Sequence, residues 1–367
     1  MATTTWPAAL TWRLGRQLLD PPAGSSVAHV VGALDAVAAQ LEPTWAELGL
    51  RARIRESRAG DVERAVDTGA VVRTFAFRGA VHLMTPDLAA VHLALRTSSR
   101  MWERASWREF YRLEPGDWPD LVEAVRNALA PGPLTRDALA DAVTAHAPFA
   151  HLRDALTDPS VTFLKPLAWQ GALCLGPVRD GALTLRSLTT VPGWPGLPDL
   201  DDAGPRAVAA YLHAYGPASS DHLTYWLSQG LGVRRTLLPR WVDALGDRVA
   251  HVDVDGDARL VLHEDLDDLV ATEPRGTVRL LPRYDPWVLG PGTADEHVVP
   301  PALRPEVSRG AHVVLVDGVV AGTWTRRGDD VTVTWAEGVR RPDDTALDAE
   351  VERLGALLGA DLRRVTA

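Results

Sequence analysis

The stretch VVRTFAFRGAVHLM, residues 71–84, decides the fold that the sequence predicts. It holds two short runs rich in valine and phenylalanine, and Arg78-Gly79 separates them, which is the pattern of a β-hairpin. Before it, Asp61 is expected to cap a short helix that stops at Gly69, a residue type common just past a helix end. A short helix followed by a hairpin predicts a winged-helix module.

The same order of elements recurs twice farther along the chain. Gly132-Pro133 and Gly216-Pro217 each halt one segment shortly before a threonine or serine that can cap the next helix. Asp180-Gly181 and Asp255-Gly256 then supply the tight turns of two further hairpins. From about Thr277 the pattern changes to short strands with aspartate and glycine turns, which predicts a small barrel or sheet domain before a final helix.

These patterns predict an α+β fold of three tandem winged-helix units followed by a small C-terminal β-barrel. The first unit, which includes a long basic helix, is expected over residues 1–118. The second unit is expected over 119–198, the third over 199–270, and the barrel with its C-terminal helix over 271–367.

Residues 25–48 are expected to form one helix that is covered on more than one side. Apolar residues recur there at three- and four-residue steps, the spacing of one helical face. They are Val27, Val31, Leu34, Ala38, Leu41 and Trp45. Asp35 and Gln40 are the polar groups on the other side, and Gln40 lies roughly 120° from the centre of the apolar stripe. Because a lone polar group on a covered helix needs a partner or a cleft, Gln40 is a candidate site residue.

Composition limits the class of protein. The 367 residues carry a formal charge of −10, which taken alone argues against binding of nucleic acid. The distribution of positive charge over the surface is a better guide to such binding than the net charge. Cys174 is the only cysteine and Lys165 the only lysine, so a disulfide or a cysteine zinc site within the chain is excluded. No apolar run approaches the roughly 18 residues of a membrane span, and the first residues lack a basic signal-peptide region. We expect a cytoplasmic protein.

Five arginines at a constant four-residue step are the clearest basic feature. They are Arg96, Arg100, Arg104, Arg108 and Arg112. On one continuous helix they would form a ridge that drifts about 40° per step and spans roughly 24 Å, long enough to follow several phosphates. The alternative is a solvated, partly paired helix face, since Glu103 can pair with Arg100 at a spacing of three residues.

Two prolines bracket Asp285 in the stretch LPRYDPWVLG, residues 281–290, and fix the backbone on both sides of its carboxylate. Asp285 is therefore either a functional carboxylate or a structural turn residue that bonds nearby amides. The sequence has no His-Glu-x-x-His motif, and Gly290-Pro291-Gly292 lacks the lysine of a phosphate-binding loop. We expect no metal and no cofactor.

Four stretches together resemble the tandem winged-helix DNA glycosylases typified by AlkZ and YcaQ, and the resemblance covers essentially the whole chain. They are residues 73–83, 214–218, 281–289 and 318–324. The resemblance implies three winged-helix units and a C-terminal β-barrel in a C-shaped monomer that holds duplex DNA. Members of the family excise alkylated bases, and some dismantle interstrand crosslinks made by antibiotics.

The resemblance also implies a site and a chemistry. The catalytic signature of the family, Gln-apolar-Gln on the second helix, aligns with Ala38-Ala39-Gln40, so alanine replaces its first polar residue. Gln40 would position a water that attacks the sugar of an alkylated base, and Asp285 is a secondary catalytic candidate. The arginines expected to contact DNA are Arg78, Arg96, Arg100, Arg104, Arg108, Arg112, Arg283, Arg304 and Arg309.

The function predicted from these features is a monofunctional DNA glycosylase that hydrolyses the N-glycosidic bond of N3- or N7-alkylated purines. Antibiotic-derived interstrand crosslinks are a further candidate substrate. The alternative is a non-catalytic DNA-binding protein, either a transcription regulator or a genotoxin-sequestering self-resistance protein, because fold alone does not settle function. The expected partner is damaged double-stranded DNA, and we expect a nucleoid-associated monomer that binds no membrane.

Overall fold

The computed structural model describes residues 2–39 and 43–365. By its internal contacts the chain falls into two compact units. The first unit comprises Met1–Val62, Val208–Trp226 and Val242–Ala367, and the second comprises Glu63–Ala207 and Leu227–Trp241. The four modules predicted from the sequence stay a prediction. In the part of the chain that the structure describes, every helix is too short or too polar to cross a membrane.

Helices and strands alternate along the whole chain, which confirms a mixed α and β protein. The helices are α1 (Trp6–Arg16), α2 (Val27–Ala33), α3 (Pro43–Arg51), α4 (Asp61–Thr68), α5 (Pro86–Thr97), α6 (Ala105–Tyr111), α7 (Trp118–Leu129), α8 (Arg136–Thr144), α9 (Arg153–Thr157), α10 (Leu164–Trp169), α11 (Leu200–Tyr215), α12 (Ser220–Leu223), α13 (Leu238–Ala244), α14 (Leu266–Ala271), α15 (Pro286–Leu289), α16 (Arg304–Ser308) and α17 (Asp344–Leu358). The strands are β1 (Ala2–Thr4), β2 (Val37–Ala38), β3 (Val72–Phe75), β4 (Val81–Met84), β5 (Leu134–Thr135), β6 (Leu173–Arg179), β7 (Ala182–Ser187), β8 (Val249–Val254), β9 (Asp257–Leu262), β10 (Val278–Leu281), β11 (His312–Val316), β12 (Val319–Arg327), β13 (Asp330–Trp335) and β14 (Arg363–Val365).

The first unit is built around a five-stranded sheet in the order β10-β11-β12-β13-β14. Its strands pair antiparallel except for the parallel pair β13–β14. Helix α17 packs on this sheet, where Leu347 and Leu354 join Trp324 and Leu48 in one buried apolar cluster. The sheet is a half-barrel, which confirms in part the predicted C-terminal barrel. A second sheet, in the order β1-β8-β9, contains the predicted hairpin at Asp255-Gly256.

The second unit contains a sheet in which β4, β3, β6, β7 and β5 are neighbours in that order. The β3–β4 and β6–β7 hairpins are both antiparallel, as the sequence predicts. Asp180 and Gly181 turn the second hairpin with φ of 50° and 77°, the left-handed conformations that a tight hairpin turn requires. Cys174 lies buried on β6, where desolvation raises the pKa of its thiol to about 12.

The predicted single helix over residues 25–48 is wrong. Helix α2 ends at Ala33, and Asp35 follows with a φ of 66°, a left-handed conformation that no α-helix contains. The chain then extends through β2, and a new helix begins at Pro43. Residues 34–37 are all buried, so the apolar spacing there reflects a covered turn and strand rather than a helical face.

The predicted continuous basic helix is wrong as well. Helix α5 ends at Thr97, where the Ser98 and Ser99 hydroxyls donate to the carbonyls of Leu95 and Arg96. Such side-chain bonds compete with the helical pattern of the backbone. Arg100 then adopts a φ of 42°, and α6 starts five residues later. The arginines therefore do not form one ridge.

Candidate active site

The segment that leads to Gln40 passes from the core to the surface. Ser26 caps α2 by accepting a hydrogen bond from the His29 amide at 3.1 Å. Residues 34–37 are buried, whereas Ala38 and Ala39 are partly exposed. Gln40 itself lies outside the described residues. The chain thus becomes partly exposed to solvent directly before the glutamine.

Two aromatic side chains of the first unit hold the turn at the end of α2. The Tyr215 hydroxyl donates to the Leu34 carbonyl at 2.8 Å. The Trp226 indole Nε1 donates to a carboxylate oxygen of Asp35, also at 2.8 Å. Asp35, Tyr215 and Trp226 are all buried. Sequence reasoning missed Tyr215 and Trp226, because nothing local to either residue indicates a contact with residues 34–35.

Asp285 forms a buried ion pair with Arg53. The Arg53 guanidinium donates to both carboxylate oxygens at 2.6 and 2.9 Å, and neither side chain is exposed. One oxygen also accepts the Trp287 amide at 2.9 Å, which caps α15. Burial in this pair argues against contact with DNA. The pair gives Asp285 a structural role, while the catalytic role expected from the sequence stays a prediction. Arg53 is the partner that the sequence did not indicate.

Trp45, five residues after Gln40 in the sequence, belongs to a cluster of aromatic rings. Trp45 contacts the edge of His312 at a centroid distance of 4.3 Å, and His312 in turn stacks on Trp324. The Arg283 guanidinium lies 5.6 Å from the Trp45 ring, and the Arg283 amide donates to His312 Nδ1 at 3.0 Å. Arg283 is thus half-buried and fixes the start of α3 against the C-terminal sheet.

The other two arginines of the first unit that were expected to contact DNA are more accessible. Arg304 and Arg309 are exposed and lie at the two ends of α16. The Arg309 carbonyl accepts a hydrogen bond from the Tyr284 hydroxyl at 3.4 Å. The Arg309 guanidinium takes no part in that hydrogen bond. Both residues are able to meet a phosphate.

In the second unit the predicted DNA-contacting arginines separate into two groups. Arg96 is half-buried, stacks 4.1 Å from the Trp169 ring and donates to the Leu231 carbonyl at 3.1 Å. Desolvation lowers the pKa of Arg96, and the nearby Arg104 charge adds to that effect. Arg96 therefore packs the interior of this unit.

The remaining arginines of this unit that were expected to contact DNA are exposed. Arg100 pairs with Glu103 at 2.6 Å and Arg108 pairs with Glu114 at 2.5 Å. Arg104 and Arg112 flank α6, and Arg78 lies in the β3–β4 turn with a φ of 54°. Such a positive φ is uncommon outside glycine. The exposed cations thus occupy α6 and a hairpin tip.

A buried polar network in the first unit is a further feature that the sequence did not reveal. Arg13 is fully buried and donates to the carbonyls of Gly216 and Pro217 at 3.2 and 3.3 Å. Burial lowers its pKa, and Asp295 opposes that shift. His222 lies 3.6 Å from Asp295, and burial lowers the pKa of His222 to about 4. These groups tie α1 to the Gly216-Pro217 turn. Within residues 2–39 and 43–365, no three potential ligand side chains gather as a metal site would require.

Known proteins share the fold of this chain. A family model described as DNA glycosylase AlkZ-like matches residues 31–357. The interstrand DNA cross-link repair glycosylase of Streptomyces sahachiroi is 34% identical over 363 residues, which is 97% of each chain. The structure of Streptomyces sahachiroi DNA glycosylase AlkZ is similar with a TM-score of 0.92, at 33% identity and over 100% of both chains. The chain therefore belongs to the AlkZ-like family of DNA glycosylases, and it is an enzyme.

Proposed function

We propose that this enzyme hydrolyses the N-glycosidic bond of N3- or N7-alkylated purines in double-stranded DNA, and that it also unhooks antibiotic-derived interstrand crosslinks. The observation that carries the proposal is the exit of residues 38–39 from the core directly before Gln40. It occurs in a chain that is 34% identical to a glycosylase named for cross-link repair.

The proposed chemistry needs little from the protein beyond placement. Alkylation at a ring nitrogen gives the base a positive charge, so the base leaves without a strong general acid. The enzyme must then orient a water and stabilise an oxocarbenium-like sugar, as in other glycoside hydrolysis. We assign the water to the Gln40 amide, while the small side chains of Ala38 and Ala39 leave room for a bulky lesion. Water is the proposed nucleophile because the only lysine, Lys165, lies over the Phe75 ring.

Exposed arginines are the proposed phosphate contacts. In the second unit these are Arg78, Arg104 and Arg112, and in the first unit Arg304 and Arg309. Arg100 and Arg108 can join them by exchanging their glutamates for phosphates, whereas the buried packing of Arg96 removes it from the set. The β3–β4 hairpin would serve as the wing of a winged-helix unit, and we propose that the enzyme acts as a monomer on chromosomal DNA in the cytoplasm.

An excision assay tests the proposed role of Gln40. Duplexes that carry N7-methylguanine, N3-methyladenine or a defined interstrand crosslink are incubated with enzyme, and the released base is quantified. Gln40→Ala should lower the single-turnover rate by about a hundredfold or more, the typical loss when a group that handles the attacking water is removed. Gln170→Ala is the matched control, because Gln170 lies in the second unit, where its side-chain amide donates to the Pro166 carbonyl at 3.2 Å.

Two results would overturn the proposal. Full base release by Gln40→Ala would remove the glutamine from the mechanism. Tight binding of damaged duplex by the native protein without release of any base would favour the binding-only alternative. That alternative arises because Ala38 replaces the first polar residue of the family signature.

A further inference from the structure

We propose that Asp35, Tyr215 and Trp226 form a clamp that fixes the path of residues 36–39, the segment that precedes Gln40 in the sequence, and that they are positioning residues for base excision. This turn clamp rests on the proposed role of Gln40 and adds three residues that do not touch the substrate. Its basis is the pair of hydrogen bonds that Tyr215 and Trp226 donate to consecutive residues of one turn.

The turn needs outside support because its backbone is unfavourable by itself. The Leu34 amide closes α2 by donating to the Val30 carbonyl at 3.1 Å, and the Ala36 amide then donates back to the Leu34 carbonyl at 2.7 Å. Between them Asp35 has a φ of 66°. A residue with a side chain is disfavoured in this conformation, although aspartate tolerates it better than most residues.

The two donors meet the turn from separate elements of the first unit. Tyr215 is the last residue of α11, and Trp226 lies in the π-helical turn Thr224–Gln229. Single π-helical turns within helical segments frequently mark functional sites, since the extra residue redirects the side chains around it. The relative exposures of Asp35, Tyr215 and Trp226 are 1%, 0% and 3%, so water does not compete for these bonds.

The clamp has little freedom to move. A Cβ built on Gly290 would lie 2.0 Å from the Tyr215 ring, so the ring fills the space that only glycine leaves open. The rings of Tyr215 and Trp226 pack with their centroids 5.5 Å apart. Cores packed in this way resist rotation of a ring without displacement of its neighbours.

A fixed turn matters because Gln40 follows Asp35 by five residues. The direction in which the chain leaves the core is set at Asp35, and an error there is carried along the extended segment 36–39. A misplacement of about 1 Å at a reacting group can cost about a hundredfold in rate. Ala38 has no polar side chain that could hold this segment in place. The turn therefore provides the support for residues 36–39. The burial of Asp35 also keeps its carboxylate away from a sugar, which distinguishes a positioning role from a catalytic one.

Conservative variants test the clamp. Tyr215→Phe and Trp226→Phe each remove one donor and keep a ring, and Asp35→Ala removes the acceptor. Each should lower the single-turnover excision rate by about tenfold or more, with the Kd for damaged duplex within about twofold of the native value. Asp35→Asn should restore the rate, because asparagine keeps an oxygen acceptor and accepts a left-handed conformation. Tyr211→Phe is the matched control, since that hydroxyl is also buried but donates to the Gly290 carbonyl at 3.1 Å.

Hydrogen exchange gives a second readout that does not depend on activity. The amides of residues 36–39 should exchange faster in Tyr215→Phe and Trp226→Phe than in Tyr211→Phe. Native rates and native exchange in both clamp variants would overturn the proposal. So would an Asp35→Asn rate as low as that of Asp35→Ala, because the carboxylate charge would then be the active property.

Gln40→Ala in the same series separates failure of the clamp from failure of the proposed function. Excision lost in Gln40→Ala and retained in every clamp variant overturns the clamp alone. Excision retained in Gln40→Ala overturns the role of the glutamine, and with it the purpose assigned to the clamp.

Discussion

At the scale of single residues, burial decides which polar side chains are free to act. Asp285 and Arg53 are each fully enclosed and bonded to one another, and Arg53 also donates to the Gly49 carbonyl at 2.7 Å. Removing water from two charges is costly, and only their mutual contact and further hydrogen bonds offset it. The pair is thus a structural unit whose members depend on each other.

Asp285→Ala should destabilise the protein strongly, because it leaves the Arg53 charge buried without its partner. The expected loss in the free energy of unfolding is about 3–5 kcal/mol, measured by urea titration. A purely structural role keeps excision per folded molecule within about threefold of the native rate, whereas a larger loss would support the catalytic role expected from the sequence.

Asp201→Ala is the control for that measurement. Asp201 pairs with Arg240 at 2.8 Å, but both side chains are 65% exposed, so the loss should stay below about 1 kcal/mol. Equal losses from the two aspartates would contradict the structural role of the buried pair.

At the scale of elements, local signals predict turns and hairpins well, and tertiary contacts decide the rest. Asp180-Gly181 and Asp255-Gly256 carry their own conformational preference, so the sequence is enough to predict those hairpins. The break at Asp35 could not be predicted, because the residues that support this turn lie 181 and 191 positions from their bonding partners. Residue spacing singled out Gln40 and the family resemblance implied its role, whereas Tyr215, Trp226 and Arg53 required the structure.

The broken basic helix predicts that its arginines differ in function. Replacing Arg104 and Arg112 together by alanine should weaken binding to every duplex sequence and lower the slope of log Kd against log salt by about 2, one for each lost phosphate contact. Arg96→Ala should instead lower the melting temperature, because Arg96 packs on Trp169. Electrophoretic or fluorescence titrations over a range of salt concentrations measure the slope.

Arg206→Ala with Arg240→Ala is the matched control. This double variant removes two positive charges from the second unit, as the Arg104 and Arg112 variant does. The two arginines it replaces form ion pairs with Asp202 and Asp201. A change of slope as large as that of the Arg104 and Arg112 variant would show a general charge effect, and α6 would then lose its assigned role.

At the scale of the whole molecule, the first unit depends on residues from three separate stretches of chain. Strand β1 pairs with β8, and Leu48 packs in the same cluster as Trp324. The turn clamp and the Arg53–Asp285 pair likewise join the N-terminal stretch to later ones. Stability of this unit and order at the candidate site are therefore coupled.

Two half-buried histidines of this unit predict a loss of stability in mild acid. Burial lowers the pKa of both His213 and His222 to about 4, with the Arg16 charge adding to the shift of His213. In the unfolded chain each titrates near 6.5. Between these values the unfolded state binds more protons, so stability falls as pH falls, by up to about 1.4 kcal/mol per pH unit for each histidine.

Urea unfolding over this pH range measures the slope. His222→Gln should lower it, and His251→Gln should not, because His251 is exposed. Burial raises the pKa of Asp265, and this makes the folded state more stable as pH falls, opposite to the effect of the histidines. Comparing the variants separates the contribution of His222 from that of Asp265. An unchanged slope in His222→Gln would contradict the assignment.

The buried thiol of Cys174 has a consequence for the reaction of this protein with electrophiles. Thiolate is the form that reacts with alkylating agents, and a thiol pKa of about 12 leaves very little of it at neutral pH. Cys174 is the only cysteine of the chain, so the protein offers such compounds no reactive sulfhydryl. A cysteine introduced at Arg78 would then be the single labelling position, and a probe attached there would report on the hairpin tip alone.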